Sequence, residues 1–212
     1  QTGKHTTHHT ETHVYPRRWW VLAMLCISLI QSSSMTITFS VCYKETHALY
    51  GWDKLTVDWL VVWGSLLYIP TALLLPLLNR HFTFRALITL SNLLMCVGAV
   101  IRSFPPSVFH SALTTLILAH FGQILISLAC PLIFAIPQQL SAIWFPPQQR
   151  TIATSMAVVC GYAGSLCSYA TIYYIELDKY HLETVLRLEA LFSLLFFIIV
   201  LSDQIWYDDV PP

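Results

Sequence analysis

Charge is what this sequence has least of: Asp, Glu, Lys and Arg make up only 10% of its residues, against about 25% in soluble globular domains. Its eleven basic and eleven acidic residues cancel. That excludes the one-signed field that gathers nucleic acid over a whole face, so no nucleic-acid partner is expected. Catalytic signatures are missing too. There is no GxSxG elbow, no Gly-rich phosphate loop running into a Lys and no metal-ligand triplet, so neither an enzyme nor a cofactor or metal is expected. The six cysteines (Cys26, Cys42, Cys96, Cys130, Cys160, Cys167) form no CxxC or Cys/His pattern. Five lie well inside apolar runs, where they read as small packing residues. No apolar stretch opens the chain: residues 1–13 are polar and the sequence begins at Gln rather than Met, which reads as a fragment without a signal peptide.

Four of the nine histidines, His5, His8, His9 and His13, are spaced through that polar start. A metal-binding tail is one reading. The other, taken here for residues 1–18, is a disordered cytosolic tail, because spaced histidines in a flexible segment lack a fixed ligand geometry.

What the chain does have is grease, with 56% hydrophobic residues and a mean hydropathy of +0.61. A helix needs about 20 apolar residues to cross a hydrocarbon core of about 30 Å, and only helices or closed barrels satisfy their backbone there. The long apolar runs do not alternate, so six helical spans are predicted: Trp19 to Cys42, Leu55 to Leu78, Phe84 to Phe104, Ser111 to Leu140, Thr151 to Ile175 and Val185 to Leu201. They make an all-α membrane bundle over 19–203, followed by a cytosolic linker or truncated end at 204–212. Pro131 and Pro137 predict a kink or an early end in the fourth span. Arg17-Arg18 abutting the first span predicts a cytosolic N-terminus.

Polar residues recur on single faces of these spans. Ser28, Gln31, Ser32, Met35 and Phe39 share a stripe of the first, His120, Gln123 and Ser127 one of the fourth, and Tyr68 with Ser65 a smaller one of the second. Such groups at membrane depth face a bundle interior or a water-filled cavity. Gln31, Met35, Tyr68, His120, Gln123 and Ser127 are therefore the candidate solute-binding residues; the plainer alternative is that they hydrogen-bond helices together. Ala153, Ala157, Gly161 and Ser165 repeat at four-residue spacing in the fifth span, the pattern of close helix packing. Glu189, inside the sixth span, is either a proton-coupling residue or the partner of Arg102 or Lys54. Asp58 reads as a helix N-terminal or snorkelling acid.

Several short motifs resemble the feline leukaemia virus subgroup C receptor-related transporters, which are solute carrier family 49 of the major facilitator superfamily. They are Tyr15-Pro16-Arg17-Arg18-Trp19, Tyr50-Gly51, Val62-Trp63-Gly64 with Pro70, Gly122-Gln123, and the stretch Gln138 to Met156 with Ser141-Ala142-Ile143-Trp144-Phe145. Glu183-Thr184-Val185-Leu186-Arg187-Leu188-Glu189 is similar to the branch named disrupted in renal carcinoma 2. The resemblance implies the N-terminal six-helix half of a twelve-helix carrier in a lysosomal or plasma membrane. It implies as cargo a small organic solute: choline-like, haem-related or vitamin B6-like. It further implies a conformational latch after the second span, where Arg80 and Arg85 are kept but Asn79 replaces the usual acid. The choline-carrying members hold a quaternary ammonium with a first-helix Trp and the fourth-helix Gln; Gln123 matches the second, whereas Met35 stands in place of the first. One half leaves a cavity wall open, so the 212 residues are expected to need a C-terminal half or a second chain to transport. A non-transporting receptor or scaffold is the rival reading.

Overall fold

The computed structural model describes residues 17–104, 111–175 and 181–205. Most of the polar tail (1–16) and of the C-terminal end (206–212) lies outside the described residues, but Arg17 and Arg18 already belong to a helix. Among the described residues seven helices follow in order: α1 (Arg17–Val41), α2 (Tyr43–Tyr50), α3 (Lys54–His81), α4 (Phe84–Arg102), α5 (Ala112–Trp144), α6 (Pro147–Ile175) and α7 (His181–Ile205). All but α2 are long and apolar enough to cross a membrane. The six-span bundle is the fold expected for the N-terminal half of a major facilitator.

The expected early end at Pro131 and Pro137 is not seen, because α5 runs through both to Trp144. In a bilayer no water competes for the remaining backbone hydrogen bonds, so losing two donors costs less than unravelling the helix beyond them. The short helix α2 was not foreseen. It ends at Gly51, whose φ of 69° is the left-handed conformation that a residue without Cβ adopts at no steric cost.

Outward faces are apolar. Leu66, Ile69, Leu73 and Leu77 of α3 are all more than half exposed, which water would penalise and lipid does not. Inside, an apolar cluster of Leu22, Leu25, Leu29, Ile133, Ile136, Leu140 and Phe196 fills the end nearer Arg17. A second, built on Phe39, Trp52, Val57, Leu60 and Leu186, fills the other end.

Two crossings bring helices to backbone distance. A Cβ on Gly98 of α4 would lie 2.6 Å from the Gly122 carbonyl of α5, and one on Gly164 of α6 would lie 2.2 Å from the Ile30 carbonyl of α1. Of the predicted stripe, Ala153, Ala157 and Gly161 are buried and Ser165 is half-buried; Gly161 sits under the Phe134 ring. The tightest approach falls on Gly164, one position off the stripe. Helix α7 packs closely on α4 and meets α1 mainly through side chains, with a cavity between α1 and α7.

Gly164→Ala is expected to cost about 1–3 kcal/mol, the usual penalty of overpacking. Gly64→Ala, whose new methyl would meet only Thr36 Cγ2 at 3.4 Å, is expected to be nearly neutral. Reversible unfolding in mixed micelles measures both, and equal effects would contradict this packing.

Candidate functional site

Between the two apolar clusters lies a polar layer centred on Arg102, the last residue of α4, which is 3% exposed. Its Nη2 pairs with Glu189 Oε2 of α7 at 2.5 Å. Its Nη1 donates to the Met35 carbonyl of α1 at 2.7 Å and to Gln123 Oε1 of α5 at 2.9 Å. The guanidinium carbon stands 5.6 Å from the Phe39 ring centroid, a cation–π distance. One side chain thus ties four helices. Its Nε is buried without a partner.

Glu189 completes the pair from the other side. Thr38 Oγ1 donates to its second carboxylate oxygen at 2.6 Å, and Ser193, one turn further along α7, donates to its carbonyl at 2.8 Å. Gln31 Nε2 donates to Ser193 Oγ at 2.6 Å, with Met35 Sδ near both groups at 4.0 and 3.8 Å. Gln31 Oε1 is buried with no partner. Gln123 uses both ends of its amide: Oε1 accepts from Arg102, and Nε2 donates to the Thr36 carbonyl at 3.0 Å.

A cavity of about 290 Å³ opens in the gap between α1 and α7. Ile30, Gln31, Ser34 and Met35 line it from α1, and Val185, Leu188, Glu189 and Phe192 from α7. It borders the polar layer at Gln31 and Glu189, and apart from these and Ser34 its lining is apolar.

The candidates from sequence divide. Gln31, Met35, Gln123 and Ser127 are all buried; the first three join the polar layer, whereas the Ser127 hydroxyl has no hydrogen-bond partner. His120 does not join it. Its Nδ1 accepts from Trp63 Nε1 at 3.0 Å, so the neutral ring carries its proton on Nε2 and ties α5 to α3. Tyr68 is 48% exposed and stands apart. Glu189 pairs with Arg102 rather than with Lys54, which is exposed at the start of α3. Asn79 and Arg80 are exposed in the last turn of α3, and Arg85 is half-buried in the first turn of α4. Asp58 is exposed in the second turn of α3. Sequence reasoning passed over Thr38 and Ser193. Both carried a signal: Thr38 lies two turns beyond Gln31, and Ser193 one turn beyond Glu189.

No family model matches the chain. Curated relatives do. It is 28% identical over 156 residues to a solute carrier family 49 member 4 homolog of Xenopus laevis, covering 74% of this chain and 33% of the relative. It is 28% identical over 155 residues to solute carrier family 49 member A3 of Xenopus tropicalis, covering 72% and 32%. To the human choline/ethanolamine transporter FLVCR2 it is 29% identical over 145 residues, covering 67% and 26%. The chain thus spans about a third of the length of these relatives.

Gln123→Leu is expected to cost about 1–2 kcal/mol, because it strips an acceptor from a buried cation and a donor from the Thr36 carbonyl. Tyr68→Phe is expected to change stability by under about 0.5 kcal/mol, as for surface positions. Unfolding in mixed micelles compares them, and a Tyr68 effect as large as that of Gln123 would contradict the assignment.

Proposed function

We propose, from the premise that this chain is a homologue of the solute carrier family 49 transporters, that it is the solute-binding bundle of a membrane carrier. A small organic solute docks beside the polar layer and crosses as this bundle rocks against a second six-span unit, supplied by further sequence or by a second chain. The observation that carries the reading is the buried Arg102–Glu189 pair bordering a cavity between two candidate membrane spans. Ionisable groups are costly there and mark solute or ion pathways.

Gln31 and Met35 line the cavity, Gln123 and Ser127 are further solute-binding candidates outside its lining, and Glu189 is the candidate for ion coupling. Asn79, Arg80 and Arg85 are the candidate latch between α3 and α4. The human relative's name makes choline and ethanolamine the first solutes to try, and the family resemblance adds pyridoxine. Arg17-Arg18 supports a cytosolic N-terminus, and the family resemblance points to a plasma or lysosomal membrane.

The rival, a receptor or scaffold held together by polar glue, draws support from Gln123, whose amide is spent on protein partners at both ends. Equilibrium binding of labelled choline, ethanolamine and pyridoxine to the purified chain in nanodiscs separates the two. A carrier binds at least one saturably, and Met35→Ala weakens that binding roughly tenfold, about 1.4 kcal/mol, with the fold retained. A scaffold binds none saturably, and the same substitution acts on stability alone.

A further inference from the structure

We infer that the Trp63–His120 contact is a pH-sensitive fastening: one added proton on His120 breaks it and frees the middle of α3 from α5. The inference does not depend on the carrier reading, since a scaffold would carry the same fastening.

The chemistry of the contact admits one protonation state. An indole N–H only donates, so Trp63 Nε1, 3.0 Å from His120 Nδ1, requires a lone pair on that nitrogen. The imidazolium has N–H on both nitrogens and offers none. Two N–H groups would then oppose each other at hydrogen-bond distance, and the ring has to turn away. His120 is half-buried. Turning outward is therefore also how the charged ring recovers solvation, and the movement that relieves it is the one that parts the two helices. Histidine takes up its proton between about pH 5 and 8.

What hangs on the contact is the hold on α3. Of its 28 residues, the buried ones are Val57, Leu60 and Thr71. Val57 and Leu60 anchor its start in the apolar cluster with Phe39 and Trp52. Among the described residues, Trp63–His120 is the one hydrogen bond that a side chain of α3 makes with another helix. Pro70 and Pro76 lie within the helix beyond it, and each removes a backbone donor. With the bond gone, the stretch from Trp63 to His81 keeps Thr71 as its one buried residue.

Other charges near the ring are few. Helix α5 contains no Asp, Glu, Lys or Arg, and its other titratable group is Cys130, ten residues along. On α3, Asp58 and Tyr68 flank Trp63 at five residues on either side, both exposed, while Lys54, Arg80 and His81 lie at the two ends. On α1 the charges are Arg17 and Arg18 in the first turn, whereas α5 meets that helix near its last turns, at Thr36. On α4, Arg85 lies in the first turn, Cys96 is buried, and Arg102 is engaged by Glu189, Met35 and Gln123.

Nuclear magnetic resonance of the full chain in nanodiscs, isotope-labelled at tryptophan, tests this, with the Trp63 indole resonance identified by its loss in Trp63→Phe. Between about pH 7.5 and about pH 5 that resonance is expected to leave its hydrogen-bonded position. His120→Asn sets an amide oxygen where Nδ1 stood and is expected to hold the resonance at its neutral-pH position throughout. His120→Phe is expected to hold it at its acid position throughout. Should either variant fail to fold, the native titration and the other variant decide. A Trp63 resonance indifferent to pH, or a pH response that persists in either His120 variant, overturns the inference. A pH-released Trp63 in a chain that binds no solute saturably upholds the inference and removes the carrier reading. Saturable solute binding with a Trp63 indifferent to pH does the reverse.

Discussion

A fully buried guanidinium paired with a largely buried carboxylate inside a helical bundle makes the demand that the surrounding helices meet at every group but the Arg102 Nε. Desolvating two charges costs more than their attraction returns unless the remaining donors and acceptors are also satisfied. Here they come from every side: carbonyl and amide from α1 and α5, a hydroxyl and an aromatic face from α1, and the carboxylate from α7. The pair therefore dictates how α1, α4, α5 and α7 stand to one another at that depth. Removing either member would strand the other in a medium that cannot solvate it.

Packing explains why the cavity lies where it does. Glycines let α4 meet α5 and α6 meet α1 at backbone distance. No equivalent crossing joins α1 to α7, which is held toward α4. Near the Arg17 end, Arg17 donates to Asp203 at 3.0 Å and Trp20 to the same oxygen at 3.3 Å, tying α1 to α7. Further along, Gln31–Ser193 and Thr38–Glu189 make the same junction through polar side chains. Between these ties the interface opens into the cavity lined by Gln31 of α1 and Glu189 of α7.

The architecture was largely legible because the bilayer constraint is coarse: length and apolarity alone delimit the spans, α5 included, although its prolines predict a kink or an early end and the helix runs on to Trp144. Which polar residues gather was harder to read. Gln31 and Gln123 followed from the cost of burying an amide. His120 looked equivalent, yet it faces Trp63 of α3, and a one-helix periodicity does not tell which neighbour a face meets. Tyr68 likewise stands apart from the layer, 48% exposed on α3. Arg102 was visible only as one of two partners for Glu189, since its place at a helix end suggested an interface and its burial depends on four helices converging.

The most direct measurement of the central claim is a double-mutant cycle on Arg102→Met and Glu189→Met, read by reversible unfolding in mixed micelles. Each single substitution is predicted to cost about 3–5 kcal/mol by leaving an uncompensated charge, and the double to cost much less than their sum. Additive losses, or singles under about 1 kcal/mol as for an exposed pair, would contradict the account.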